Sequence, residues 1–150
     1  MSTQSEAVSR QPADSARSVV LIIPADKDFV VLVRSAVGHL GVRIGLTMEE
    51  LGDLRLAVNE ACALFLLPEE TDVDVLALEC RFTEVGGSLV VTVTADSEQR
   101  IVPPVDGFGW NLLSALVDDL QWSDDQERAE VRLVKRPRSR GHVEQPATPR

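Results

Sequence analysis

The run "TMEELGDLRLAVNEACALFLLP", from Thr47 to Pro68, constrains this chain most, because it carries the start, the apolar stripe and the stop of one helix. Thr47 and Glu50 form a capping box, in which hydroxyl and carboxylate satisfy backbone N–H groups that a helix start leaves without partners. Leu51, Leu54, Val58, Ala61 and Phe65 then recur at helical spacing. Pro68 ends the run, since the residue before a proline is driven out of helical geometry. A helix with a single apolar stripe has to bury it against a second layer.

The rest of the chain supplies that layer. "SVVLIIP" is β-branched and ends at Pro24, which predicts a short strand. "VDVLALECRF" and "SLVVTVTA" alternate in polarity and are joined by "EVGG", a hairpin pattern. "AEVRLVKR" reads as a last strand. Two further helices are predicted. The first is "ADKDFVVLVRSAVGHLGV", with Phe29, Leu32, Val33, Ala36, Val37 and Leu40 on one face and Gly41 as its stop. The second is "DGFGWNLLSALVDDLQW", with Trp110, Leu113, Leu116, Val117 and Leu120 in a stripe. The order β-α-α-β-β-α-β implies an α/β (α+β) two-layer sandwich, a mostly antiparallel mixed sheet with helices on one face.

At 150 residues, 44% of them hydrophobic, the chain closes one such core, assigned to residues 18–135. Residues 1–17 and 136–150 are polar, charged or proline-rich and are expected to be disordered tails, with His142 as a solvated tail residue. The formal charge of −9 argues against direct contact with nucleic acid, which needs a Lys/Arg surplus, and favours a basic or mixed-charge protein partner. Cys62 and Cys80 lie in apolar periodic segments without ligand spacing, so they are expected as reduced core thiols and not as a zinc site. Neither an apolar leader nor a long hydrophobic run is present, which predicts a cytoplasmic protein without a membrane span.

Three segments together carry a resemblance: "LTMEELGDLRLAVNEAC", "VVTVTADSEQR" and "GFGWNLLSALVDDLQW". From Val19 to Lys135 the chain resembles the histidine-kinase-like ATPase (GHKL, Bergerat-fold) superfamily. Within it, the likeness is to bacterial, actinobacterial-like anti-sigma factors that are serine-protein kinases. The resemblance makes Glu60 the counterpart of the family's general base. Four residues later, on the same helix face, the family carries an Asn that holds Mg²⁺. Here that position is Leu64, an aliphatic side chain. Asn59 cannot stand in for it, because adjacent helical residues point about 100° apart, and it reads as a solvated residue on the outer face. Glu60 itself is either a vestigial base or a carboxylate hydrogen-bonded to the opening of the neighbouring loop.

The resemblance also makes Asp96 the acceptor for the adenine amino group, although a strand-ending Asp at a turn is an equally ordinary reading. Ser97, Glu98, Gln99 and Arg100 follow it where the family has glycines that admit the nucleotide. Gly107 and Gly109 match the loop that faces the phosphates, or else serve only a tight helix entry, and Trp110 replaces the usual Leu. "SEQRIVPPVD" is shorter than a full ATP lid. ATP and Mg²⁺ are therefore implied by the family, while four departures point away from turnover.

By the same resemblance the expected function is that of an anti-sigma factor, which sequesters a sigma factor and is relieved by an anti-anti-sigma (STAS-type) antagonist. Arg34, a cation on an otherwise apolar helix, is the expected partner contact, its plainer reading being a solvated helix residue. A homodimer is expected from the family. The alternatives are an active ATP-dependent serine kinase acting on the anti-anti-sigma protein, and a binding module with an unrelated signalling partner.

Overall fold

Strand β1 (Arg17–Pro24) leads into a 3-10 turn (Lys27–Phe29) and helix α1 (Val30–Arg43), and helix α2 (Met48–Ala63) follows. The hairpin β2 (Ala77–Val85) and β3 (Ser88–Asp96), helix α3 (Phe108–Leu116), and strands β4 (Asp119–Asp124) and β5 (Arg128–Lys135) complete the chain. This computed structural model describes residues 17–66, 74–102, 107–125 and 127–138. Most of both expected tails, His142 and Pro68 lie outside the described residues. Arg17 belongs to β1, and residues 136–138 are fixed by hydrogen bonds of the Arg136 and Arg138 backbone N–H groups to Asp118 and Glu50.

The five strands form one sheet in the order β1-β2-β3-β5-β4, and every pairing is antiparallel. The sandwich is the expected one, but the sheet is not mixed. Alternation decides its inner face: Leu78, Cys80 and Phe82 of β2, Leu89, Val91 and Val93 of β3, and Ala129, Val131 and Leu133 of β5 are all buried beneath the helices. Gly86 and Gly87 both adopt positive φ, as a two-residue hairpin turn demands.

In α2 the predicted capping box is present. Glu50 N–H donates to Thr47 Oγ1 at 3.1 Å and Thr47 N–H to Glu50 Oε1 at 2.8 Å. The stripe Leu51, Leu54, Val58, Ala61 and Phe65 is buried as predicted. Cys62 and Cys80 are free and fully buried. A hydrogen bond with Cys80, and then burial, push the Cys62 thiol far above its usual range, so it stays protonated.

Two expectations need correction. α1 does not stop at Gly41: it runs to Arg43, and Gly45, with φ of 91°, takes the left-handed cap. Gly45 N–H donates to Val42 O and Leu46 N–H to Gly41 O, a Schellman closure. Gly41 is buried inside the helix, where an added Cβ would lie 2.5 Å from Leu51 Cδ1. Of the expected face, Val33 and Val37 are buried and Ala36 and Leu40 pack half-buried against the core, while Phe29 and Leu32 are exposed and Val30 is buried in their place.

The third helix is also shorter than expected. It ends at Leu116, Val117 is extended, and "DLQWSD" forms edge strand β4. Leu120 and Trp122 alternate with exposed neighbours there, and backbone pairing with β5 outweighs the helical spacing of Val117 and Leu120.

Candidate functional site

Glu60 sits in the last turn of α2, half-buried, with Leu64 one turn further along. The first turn of α3 packs onto this pair. A Cβ built on Gly109 would lie 3.5 Å from Glu60 Oε1 and 4.0 Å from Leu64 Cδ2, ordinary contact distances, so this turn of α3 lies directly against both side chains. Gly107 is the N-cap of α3 in extended geometry, without a side-chain cap, and its carbonyl accepts from Asn111 N–H at 3.2 Å. Glu60, Leu64 and Gly109 thus converge, with Gly107 two residues before the contact. A carboxylate beside a helix N-terminus is favoured by the helix dipole.

Magnesium requires several oxygen ligands in near-octahedral array. Leu64 contributes none, and among the described residues no three His, Cys, Asp or Glu side chains gather as a metal site. Directly after Leu64, an aromatic ladder closes this end of the layer. Phe65 stacks on Trp122 at 5.6 Å, and Trp122 meets the edge of Trp110 at 6.5 Å. Trp122 Nε1–H donates to Asp124, which also accepts from Arg100. These bonds, Arg100 first, hold the Asp124 carboxyl below its usual range. Sequence reasoning missed the ladder because it placed Trp122 in a helix.

Asp96 stands apart from this group. It ends β3 opposite Arg128, whose Nη1 donates to Asp96 Oδ1 at 2.9 Å. It faces a different opening, lined also by Ser97, Arg100, Asp124 and Arg128, and no described contact joins it to Glu60, Gly107 or Gly109. The residue after Asp96, Ser97, is buried and accepts from Gln99 N–H, which makes a compact turn in place of an open glycine loop. Residues 103–106 of the short lid segment lie outside the described residues.

Arg34 is neither isolated nor merely solvated. Its Nη1 donates to Asn59 Oδ1 at 3.0 Å across the α1–α2 contact, and both side chains are half-buried. The expectation of a solvated Asn59 is therefore corrected: α1 crosses α2 closely enough for the amide to orient the guanidinium. A cation 25 residues away in sequence gave no local signal of this pairing.

The Histidine kinase-like ATPase domain family matches residues 23–135. An anti-sigma-F factor RsbW of Mycobacterium tuberculosis is 32% identical over 116 residues, covering 77% of this chain and 67% of that protein. A serine-protein kinase RsbW of Halalkalibacterium halodurans is 23% identical over 124 residues, covering 72% of this chain and 76% of the relative. A crystal structure of the RsbU and RsbW domains of Rv1364c from Mycobacterium tuberculosis shares the fold, with a TM-score of 0.61 at 14% identity, over 80% of this chain and 32% of that one. The family match over most of the described fold, together with these relatives, places the chain in the histidine kinase-like ATPase family, among the RsbW-type anti-sigma factors and serine-protein kinases.

Proposed function

We propose that the chain is a contact anti-sigma factor. It would sequester a sigma factor, be relieved by a STAS-type anti-anti-sigma protein, and turn over little or no ATP. ATP binding is a general property of the family, and the contact between Leu64, Glu60 and Gly109 carries the departure from it. At the position where the family implies a Mg²⁺ ligand, a leucine methyl packs against α3. The ion pair between Asp96 and Arg128 supports the same reading, since it engages the carboxylate expected to accept from adenine.

Calorimetry with Mg-ATP tests this. The chain is expected to give no Mg-dependent heat, and Leu64→Asn to gain a Mg-dependent component by returning an oxygen to the site. Micromolar, Mg-dependent binding by the unaltered chain would overturn the reading.

The kinase alternative keeps one specific support, the Glu60 carboxylate at the opening of α3 with Gly107 and Gly109 intact. Transfer of labelled phosphate to a STAS-domain protein, lost in Glu60→Gln, would establish it. Partner contact is assigned to Arg34, already oriented by Asn59, in a cytoplasmic protein that forms a homodimer. Affinity capture of the tagged chain with mass spectrometry is expected to return a sigma factor and a STAS-domain protein, and Arg34→Glu to lose the sigma factor. If neither protein is recovered, the anti-sigma reading fails.

A further inference from the structure

The outer side of the α1–α2 pair holds a groove of about 450 Å³ lined by Val31, Arg34, Ser35, Arg55, Leu56 and Asn59. The two helices run antiparallel across it. Arg34 meets Asn59, and four residues further along α1, Gly38 meets Arg55, which lies four residues before Asn59 on α2. A Cβ on Gly38 would lie 2.9 Å from Nη2 and 3.2 Å from Nε of Arg55, so the guanidinium rests in the space that the glycine leaves on α1. Arg34 is thereby oriented by Asn59, and Arg55 lies against the open surface that Gly38 leaves on α1. Four residues of helix rise about 6 Å, which sets the separation of the two cations along the axis.

Arg34 and Arg55, like Arg17 and Arg136 at the ends of the described fold, have no ion pair among the described residues, and they alone of these four lie side by side in one groove. Arg43, Arg81, Arg100, Arg128, Arg132 and Arg138 each reach a carboxylate. Among the described residues no carboxylate pairs with Arg34 or Arg55, in a chain with 24 acidic and 15 basic residues. Arg34 spends its one described bond on a neutral amide, which leaves most of its fork of donors free. Val31 and Leu56 flank the cations as exposed apolar surface.

The geometry points to a two-pronged docking site for an acidic helical segment of a mixed-charge protein partner, with Arg55 as the second prong and Gly38 as its seat. Carboxylates at i and i+4 of a helix stand about one turn apart, the spacing of the two guanidinium seats. Arg–carboxylate pairs are short, charge-assisted and directional, so the pairing selects two acids in register and not net charge alone. An apolar residue on the same partner face would cover Val31 and Leu56. This rests on the reading that Arg34 contacts the partner, and adds the chemistry and register of what it contacts.

The test uses the full chain and two synthetic helical peptides that differ only in Glu or Gln at i and i+4, both with leucines on that face. Fluorescence anisotropy is expected to give about a tenfold or larger preference for the acidic peptide. Arg55→Ala should remove most of the preference, and Arg55→Lys should restore part of it. Gly38→Ala should act like Arg55→Ala with the helical circular dichroism retained, because alanine favours a helix while its methyl displaces the guanidinium.

Equal affinity for the two peptides, or an undiminished preference in Arg55→Ala, overturns the proposal. Sedimentation of the same variants guards against another occupant: if they dissociate a dimer and leave peptide affinity unchanged, the groove belongs to a second copy and the proposal falls. A sigma factor that binds wild type, Arg55→Ala and Gly38→Ala alike but fails with Arg34→Glu would refute the second prong and leave the anti-sigma reading standing. Peptide preference without any sigma-factor binding would do the reverse.

Discussion

One residue, Glu50, joins two parts of the chain. Its carboxylate is buried, accepts the Thr47 and Arg138 backbone N–H groups at 2.8 and 2.9 Å, and meets the Arg138 guanidinium at 3.2 Å. Burial alone would raise its pKa. The hydrogen bonds from Thr47 and Arg138, with the nearby Arg138 charge, outweigh that and hold it below the usual carboxylate range. The stabilisation is complete above the unfolded carboxyl's pKa of about 4.3 and is lost as pH falls through the lower folded value. Glu50→Gln is expected to cost about 1–3 kcal/mol at neutral pH, a deficit that narrows in strong acid, as urea titrations at the two pH values would measure. A deficit that is the same at both would remove ionisation from the explanation. The capping role of this residue was legible from "TMEE" because a capping box is complete within four residues. Its second role was not, because Arg138 lies 88 positions away.

At the level of elements, the same distinction separates what could be read from what could not. α2 was legible because its start and stripe are local, and the β2–β3 hairpin because alternation and two glycines coincide. β4 was hidden: Val117 and Leu120 continue a helical spacing, while Leu120 and Trp122 also satisfy a strand, and only pairing with β5 decides between them. For the site, Glu60, Leu64 and Gly109 were legible as separate positions, but their convergence depends on how α3 crosses α2. Trp122 makes the strand assignment consequential, since from β4 it stacks on Phe65 of the α2 terminus and touches Trp110 of α3. Trp122→Ala is expected to cost about 2–4 kcal/mol and to flatten the near-ultraviolet circular dichroism that two adjacent indoles produce. A loss below about 0.5 kcal/mol in denaturant melts would show that the ladder does not join the elements.

Across the whole molecule, charge sets a contest between local pairs and net repulsion. Six arginines and Lys135 make ion pairs, but most of these are exposed and are worth about 0–1 kcal/mol each. Against them stands a formal charge of −9, whose self-repulsion acts over the entire surface. Repulsion is expected to win, so raising sodium chloride from low concentration to about 0.5 M should raise Tm by a few degrees in scanning calorimetry. A lowered Tm would assign more weight to the ion pairs. Among the described residues no helix is long and apolar enough to cross a membrane.

The two borders of the sheet differ in a way that bears on stoichiometry. β4 carries Asp119 exposed at its border, a charge that discourages a further strand, while Asp124 is engaged by Arg100 and Trp122. β1 ends the other with Val19, Val20 and Ile22 at 47%, 42% and 66% exposure, and among the described residues its free backbone edge is uncovered. A body with adhesive borders on both sides can polymerise without limit. With one apolar border, growth by strand addition would stop at a closed pair, so the unequal borders of this sheet disfavour open-ended fibre growth.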